Sequence, residues 1–175
     1  SGDAAKTGET SRRRDVDFIF IAAQPAQARQ IRQQLRFFYA SRLPVLATSH
    51  VFSGNPSRSK DSDLEGLKFA DMPWVIGNSP EIKARREQVR ELWPTVDKRY
   101  PRLFAMGYDA WLLVERLNAR GLQNGLILQG NTGDLYLQDD GRIQRDLKWA
   151  EFSSGKPKAL PDLAPQPALS QPVSY

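Results

Sequence analysis

Ser49-His50 sets a hydroxyl beside an imidazole, and His50 is the single histidine of the chain. An acyl-transfer enzyme would use such an imidazole as the base for a nucleophilic serine, with an acid to orient it. Ser49 and Ser53 are the local candidates, yet no G-x-S-x-G elbow presents either of them. With one histidine and no cysteine, this sequence excludes thiolate catalysis, disulfides, Cys-ligated metals and paired-histidine metal sites. His50 therefore reads as a polar residue at a strand end, suited to touching a ligand or partner. No catalytic residue, metal or cofactor is expected.

Three further patterns approach known chemistry and miss. Asp61, Asp63, Glu65 and Gly66 suggest a calcium loop, but a loop opened at Asp61 would place its closing acid at Met72. The segment reads as a solvated acidic loop. Gly130-Asn131-Thr132-Gly133 lacks the Lys-Ser/Thr of a phosphate loop and reads as a tight turn before a hairpin. Arg36-Phe37-Phe38-Tyr39 and Arg99-Tyr100 set basic residues beside aromatics, without an RNP or helix-turn-helix pattern. These aromatics read as core, together with Trp93, Trp111 and Trp149. Trp74, beside a proline where the chain crosses, is kept as a contact candidate. The net charge of +5 is dispersed apart from Arg12-Arg13-Arg14, so it reads as a solvated basic surface and no nucleic-acid partner is expected.

The hydropathy pattern marks out the elements that would position these residues. Residues 16–22 are nearly continuous in apolar side chains, broken by Asp17, as in a strand covered on both faces of a parallel sheet. Pro25 suits the first turn of a helix, and Ala28, Ile31, Leu35 and Phe38 recur at helical spacing. Residues 44–48 make the next strand, parallel to the first through a right-handed crossover. Ligands and partners of such open α/β sheets sit beyond the carboxyl ends of the strands, where Gln24, Ser49 and His50 fall.

Residues 52–63 hold turn formers in quick succession and read as a loop, a candidate partner contact through Phe52, Asn55, Arg58 and Lys60. Residues 66–70 read as a third, more exposed strand, and 71–74 as a chain crossing. Ser79-Pro80-Glu81 combines a capping hydroxyl, a proline and an acid at a helix start; that helix, to about Trp93, is charged and belongs on the surface. Residues 104–117 are apolar on nearly every face and should form the most buried helix, stopped at Gly121. Asp139-Asp140-Gly141 is a hairpin turn between strands at 135–137 and 143–152. On the second strand Ile143, Leu147 and Trp149 share one face, and Gln144, Asp146 and Lys148 the other. Prolines recurring from Pro157 should break any element after Gly155.

A chain of 175 residues has room for one core, and no run approaches the ~20 apolar residues of a membrane helix. Residues 1–14 read as a flexible leader, 15–157 as one domain and 158–175 as a Pro-rich flexible tail. The expected fold is α/β, a parallel-sheet lobe flanked by helices and closing with an antiparallel hairpin.

Five stretches in this order carry a family resemblance: DFIFIAAQPAQARQIRQQLRF, LPVLATSHVFSG, DLEGLKFADMPW, FAMGYDAWLLVERL and GNTGDLYLQDDGRIQRDLKWAEFSSGKP. They resemble the second lobe of a type I periplasmic-binding-protein fold, the last being similar to the closing hairpin of branched-chain amino-acid receptors. More narrowly, they resemble the C-terminal domain of the LppC/LpoA family of outer-membrane lipoproteins. The resemblance implies a non-catalytic activator that binds and stimulates a class A penicillin-binding protein, a bifunctional peptidoglycan synthase. It also implies a periplasmic location, with membrane attachment only through a lipid anchor that this sequence does not contain. Solute receptors of the fold hold ligands at turns that correspond here to Ala23-Gln24 and Thr48-Ser49-His50, which lack the acid and aromatic that grip an amino-acid zwitterion. The alternative is a small-molecule lobe, for a solute or cell-wall fragment, using Gln24, Ser49, His50 and Trp74.

Overall fold

A computed structural model describes residues 16–38, 40, 42–77, 79–95, 99–118 and 127–161. Strand β1 (Ile19–Ile21) leads into helix α1 (Pro25–Phe37), which begins with Pro25 in its first turn and with the Gln24 N–H donating to Gln27 Oε1 at 3.1 Å. Strand β2 (Val45–Ala47), a 3-10 turn (Ser49–Val51), the one-turn helix α2 (Arg58–Asp61), a second 3-10 turn (Ser62–Leu64) and strand β3 (Leu67–Asp71) follow. The chain then builds α3 (Pro73–Ile76), α4 (Pro80–Leu92) and α5 (Pro101–Asn118), three strands β4 (Ile127–Gln129), β5 (Asp134–Leu137) and β6 (Ile143–Asp146), and the closing pair β7 (Lys148–Ser153) and β8 (Lys156–Ala159).

Two sheets result. The larger has the order β1-β2-β3-β7-β8, with β1, β2 and β3 parallel and β7 and β8 antiparallel to their neighbours. The smaller is the antiparallel meander β4-β5-β6. The expected α/β class with parallel strands and flanking helices is what forms. The main core lies between α1 and the larger sheet, around Ala28, Val45, Leu67 and Ala150. Phe52, Phe69 and Phe152 meet there with ring centroids 5.1 to 5.9 Å apart. A second cluster of Trp74, Val89 and Ala105, with Met72 and Phe104 against it, joins α3, α4 and α5.

Ser79 caps α4 as its sequence signature implies, its Oγ accepting from the Ile82 N–H at 3.3 Å. Ser79→Ala should therefore cost about 1 kcal/mol in urea denaturation, and a loss below a few tenths would show that the cap contributes nothing. Ile82 and Val89 turn inward while most of the charged positions face solvent, as expected. The 139–141 turn also forms: Gly141 takes φ +81°, and the Gln138 N–H donates to the Arg142 carbonyl at 2.8 Å.

On the small sheet, Tyr136 hydrogen-bonds to Asp146, and that contact, partial burial and the nearby negative charges push its phenol up to about 12. A folded pKa raised above the usual ~10 gives a stabilisation that is complete below pH ~10 and is lost as pH climbs through about 12. The 295 nm absorbance titration of Tyr136→Phe should lack the last-ionising tyrosine of the parent; loss of an ordinary one instead would contradict the assignment.

Several expectations need correction. Strand β1 is an edge strand, not one covered on both faces, and Phe18 and Phe20 stand 54% and 60% exposed. Phe38 closes α1 as an exposed cap residue instead of joining its apolar stripe. Strand β3 lies in the middle of the larger sheet, with Leu67, Phe69 and Asp71 buried, so it is among the least exposed strands. Residues 58–64 are helical turns rather than loop, and Asp61 is buried: it accepts from the Ser57 N–H at 2.7 Å and pairs with Arg29 at 3.3 Å.

Helix α5 is half exposed. Leu103, Met106, Trp111, Val114 and Leu117 face outward, Trp111 at 59%, because the described residues pack against one face only. Phe37, Trp93, Tyr100 and Trp149 are exposed to solvent as well. The expected long strand at 143–152 breaks at Leu147, where the chain passes from the small sheet to the large one. Pro157 sits inside β8 opposite Phe152, tolerated because β8 is an edge strand. The leader, Gly121 and most of the proline-rich tail lie outside the described residues.

Candidate functional site

The register Ile21↔Ala47 puts the carboxyl ends of β1 and β2 side by side, and the Thr48 N–H donates to the Ile21 carbonyl at 3.2 Å. Gln24 and the Ser49–Val51 turn are thereby brought to one edge, with Gln24 and His50 exposed and Ser49 half-buried. At the next strand end, the ground beyond the sheet is taken by a side chain that the motif reading passed over. Arg102, in the first turn of α5, donates through Nε to Asp71 Oδ1 at 3.0 Å and through Nη2 to Asp71 Oδ2 at 2.5 Å. The same Nη2 reaches the carbonyls of Ser49 and Phe52 at 3.2 and 2.9 Å. A planar guanidinium suits this fork onto a carboxylate. One residue thus ties the end of β3, the turn after β2 and the start of α5 together. Asp71 carried a signal: on β3 it falls on the same side as Leu67 and Phe69, and an acid on a buried face needs a partner.

A second buried carboxylate explains the glycine-rich turn. Asp109, on the inner face of α5, accepts from the N–H groups of Asn131 and Thr132 at 2.8 and 2.7 Å and from the Thr132 hydroxyl at 2.7 Å. Residues 130–133 form the tight turn expected, closed by the Gly130 N–H donating to the Gly133 carbonyl at 3.0 Å. Gly130 is needed for the approach, since a Cβ there would lie 2.6 Å from Asp109 Oδ2. The turn also holds α3 and α4: the Trp74 N–H donates to the Asn131 carbonyl at 2.8 Å, and Arg85 Nη1 to Asn131 Oδ1 at 3.1 Å.

Of the contact candidates, Trp74 and Phe52 are core residues, 1% and 3% exposed. Asn55, Arg58 and Lys60 are exposed. Asn55 closes a small turn in which its N–H donates to Ser53 Oγ at 3.3 Å and its carbonyl accepts from that hydroxyl at 3.0 Å. Among the described residues, no three His, Cys, Asp or Glu side chains are grouped to hold a metal, and no helix is long and apolar enough to cross a membrane. The polar networks serve shape: the buried carboxylates of Asp61, Asp71 and Asp109 each accept from a group distant in sequence.

A family model described as "LppC putative lipoprotein" matches residues 2–155. The chain belongs to the LppC lipoprotein family. Two curated relatives carry the name penicillin-binding protein activator LpoA. That of Vibrio cholerae is 30% identical over 142 residues, covering 79% of this chain and 23% of the relative. That of Klebsiella pneumoniae is 31% identical over 144 residues, covering 81% and 20%. The chain thus spans less than a quarter of these relatives' length. Among solved structures, the C-domain of Haemophilus influenzae LpoA, described as a regulator of PBP1A, superposes with a TM-score of 0.62 at 23% identity, over 86% of this chain and 46% of that one. A "putative branched-chain amino acid ABC transporter" protein of Rhodospirillum rubrum gives a TM-score of 0.62 at 20% identity, over 82% and 44%. These two likenesses show the fold: an LppC-family chain shares its architecture with binding-protein-like structures.

Proposed function

We propose that this protein acts without catalysis, as part of an envelope lipoprotein that binds a class A penicillin-binding protein in the periplasm and stimulates peptidoglycan synthesis. The observation that carries the reading is the family match over residues 2–155, joined to relatives named as activators of a penicillin-binding protein. Stimulation would follow from a surface with higher affinity for the active conformation of the synthase than for the inactive one. The exposed edge of Gln24 and His50 and the rim of Asn55, Arg58 and Lys60 are the proposed contacts. The solute-binding alternative loses ground because the Arg102–Asp71 pair fills the end of β3 and because Trp74 is 1% exposed.

The test is surface plasmon resonance against the periplasmic region of a class A penicillin-binding protein from the same bacterium, with an unrelated transpeptidase as control. Selective, saturable binding supports the reading. Equal binding to both proteins, or to neither, removes it from this chain.

A further inference from the structure

Gln24 and His50 follow the carboxyl ends of β1 and β2, whereas Glu65 and Gly66 lead into the amino end of β3, at the other end of the parallel strands. Here a cavity of about 480 Å³ is lined by residues of α1, the entry to β3, β7 and β8. Arg32 of α1 belongs to the lining and is 6% exposed. It donates through Nη2 to the Glu65 carbonyl at 2.5 Å, but its Nε is buried without an acceptor, and it forms no ion pair with a described residue. Burial, and then the nearby Arg36, lower its pKa from the usual arginine value. A buried cation without an anion is costly, and an anion brought to it would relieve that cost.

Gly66 also lines the cavity, and it reveals how the charges are spaced. A Cβ there would lie 3.8 Å from Arg32 Nη2 and 4.0 Å from Glu151 Oε1. The guanidinium and the carboxylate are thus no further apart than twice the longer distance, yet no ion pair joins them. Glu65 already accepts from the Ser154 N–H at 2.8 Å. Glu151 has no hydrogen bond or ion pair among the described residues, although Lys68 and Lys158 stand opposite it in the sheet. The described lining is balanced, Arg32 and Lys158 against Glu65 and Glu151. A ligand of one charge would be repelled by half of these groups, and a ligand carrying both would not.

We propose that this cavity binds a small zwitterion of the α-amino-acid type, its carboxylate on Arg32 and its ammonium on Glu151. A single carbon separates the two charged groups of such a molecule. It can therefore bridge a guanidinium and a carboxylate that are too far apart to pair and close enough to share a ligand. Guanidinium groups recognise carboxylates through short, charge-assisted hydrogen bonds. The cavity falls in the usual size range for ligand pockets, roughly 300–1,000 Å³, and Ala159 and Leu160 in its lining offer contact to an aliphatic side chain.

The test titrates the ¹⁵N-labelled chain with leucine, with isocaproate, which lacks the ammonium, and with isoamylamine, which lacks the carboxylate. Leucine should shift the Gly66 and Ser153 amides and bind about tenfold more tightly than either analogue. Glu151→Gln, at a half-buried position, should bring leucine down to the affinity of isocaproate with the amide spectrum otherwise retained. Equal binding of leucine and either analogue, unchanged leucine affinity in Glu151→Gln, shifts confined to Ser49 and His50, or no shift at millimolar leucine would each overturn the proposal. The titration contains no penicillin-binding protein, so its failure leaves the activator reading standing, and failure of that reading leaves the zwitterion site standing.

Discussion

Asp109→Asn should destabilise the protein by about 3 kcal/mol, although the substitution changes neither size nor shape. The carboxylate accepts two backbone N–H groups and one hydroxyl from residues 131 and 132. An asparagine has one acceptor oxygen, so its amide group must point at a donor that is already buried. Hydrogen bonds to charged groups contribute about 1.5–3 kcal/mol, and a stranded buried donor costs about 1–3. For a chain of this size, about 3 kcal/mol corresponds to roughly 10 °C in Tm. Urea denaturation at constant slope is the measurement. Thr132→Val, which removes only the hydroxyl, should cost about 1 kcal/mol. If Asp109→Asn cost no more than Thr132→Val, the turn would not be held by charge.

Asp71→Ala is expected to cost about 3 kcal/mol, at the lower end of the range for breaking a buried ion pair. Asp71 is 1% exposed and its partner Arg102 28%, so water recovers part of the arginine's loss and none of the cavity's. The informative variant is the double one. Asp71→Leu with Arg102→Met removes both charges, and such apolar replacements are often neutral. Here the carbonyls of Ser49 and Phe52 would also lose their donor. The double variant should therefore stay below the parent while costing less than the two single changes combined, a coupling of about 1–3 kcal/mol. Strict additivity in denaturant titrations would mean that the pair does not act as a unit.

Elements with a local signature were legible in the sequence. Pro25 after an apolar run, Ser79-Pro80-Glu81 and Asp139-Asp140-Gly141 each specify their structure through neighbours, and each forms where expected. What failed depended on what lies across space. The apolar faces of residues 104–117 imply burial on every side, yet only the side bearing Ala105 and Asp109 meets other described residues. Trp93, Trp111 and Trp149 read as core and are exposed, whereas Trp74, set apart beside a proline as a contact candidate, is the one in the core. Ile143, Leu147 and Trp149 share one parity while the buried Ala150 and Phe152 fall on the other. The apolar phase thus shifts at Trp149-Ala150, close to the change of sheet at Leu147, and a single strand from 143 to 152 overlooked it. At the carboxyl edge, Gln24, Ser49 and His50 could be placed because strand ends are local features. Arg102 could not, being one of 25 basic residues and distinguished only by facing Asp71 across 31 positions.

The larger sheet is interrupted in sequence. The chain leaves it at Asp71 and rejoins it at Lys148, so Phe69 finds Ala150 about 80 residues later. Closing so long a loop is entropically costly, and pairings of this separation slow folding. The unit from β1 to β3 is contiguous, and β7–β8 is a simple hairpin, so the middle of the sheet is where assembly should be slowest. During synthesis, β3 emerges long before its neighbour, and until Phe152 arrives it offers unpaired backbone beside uncovered Leu67 and Phe69. That interval is when the chain is most open to pairing with the wrong strand.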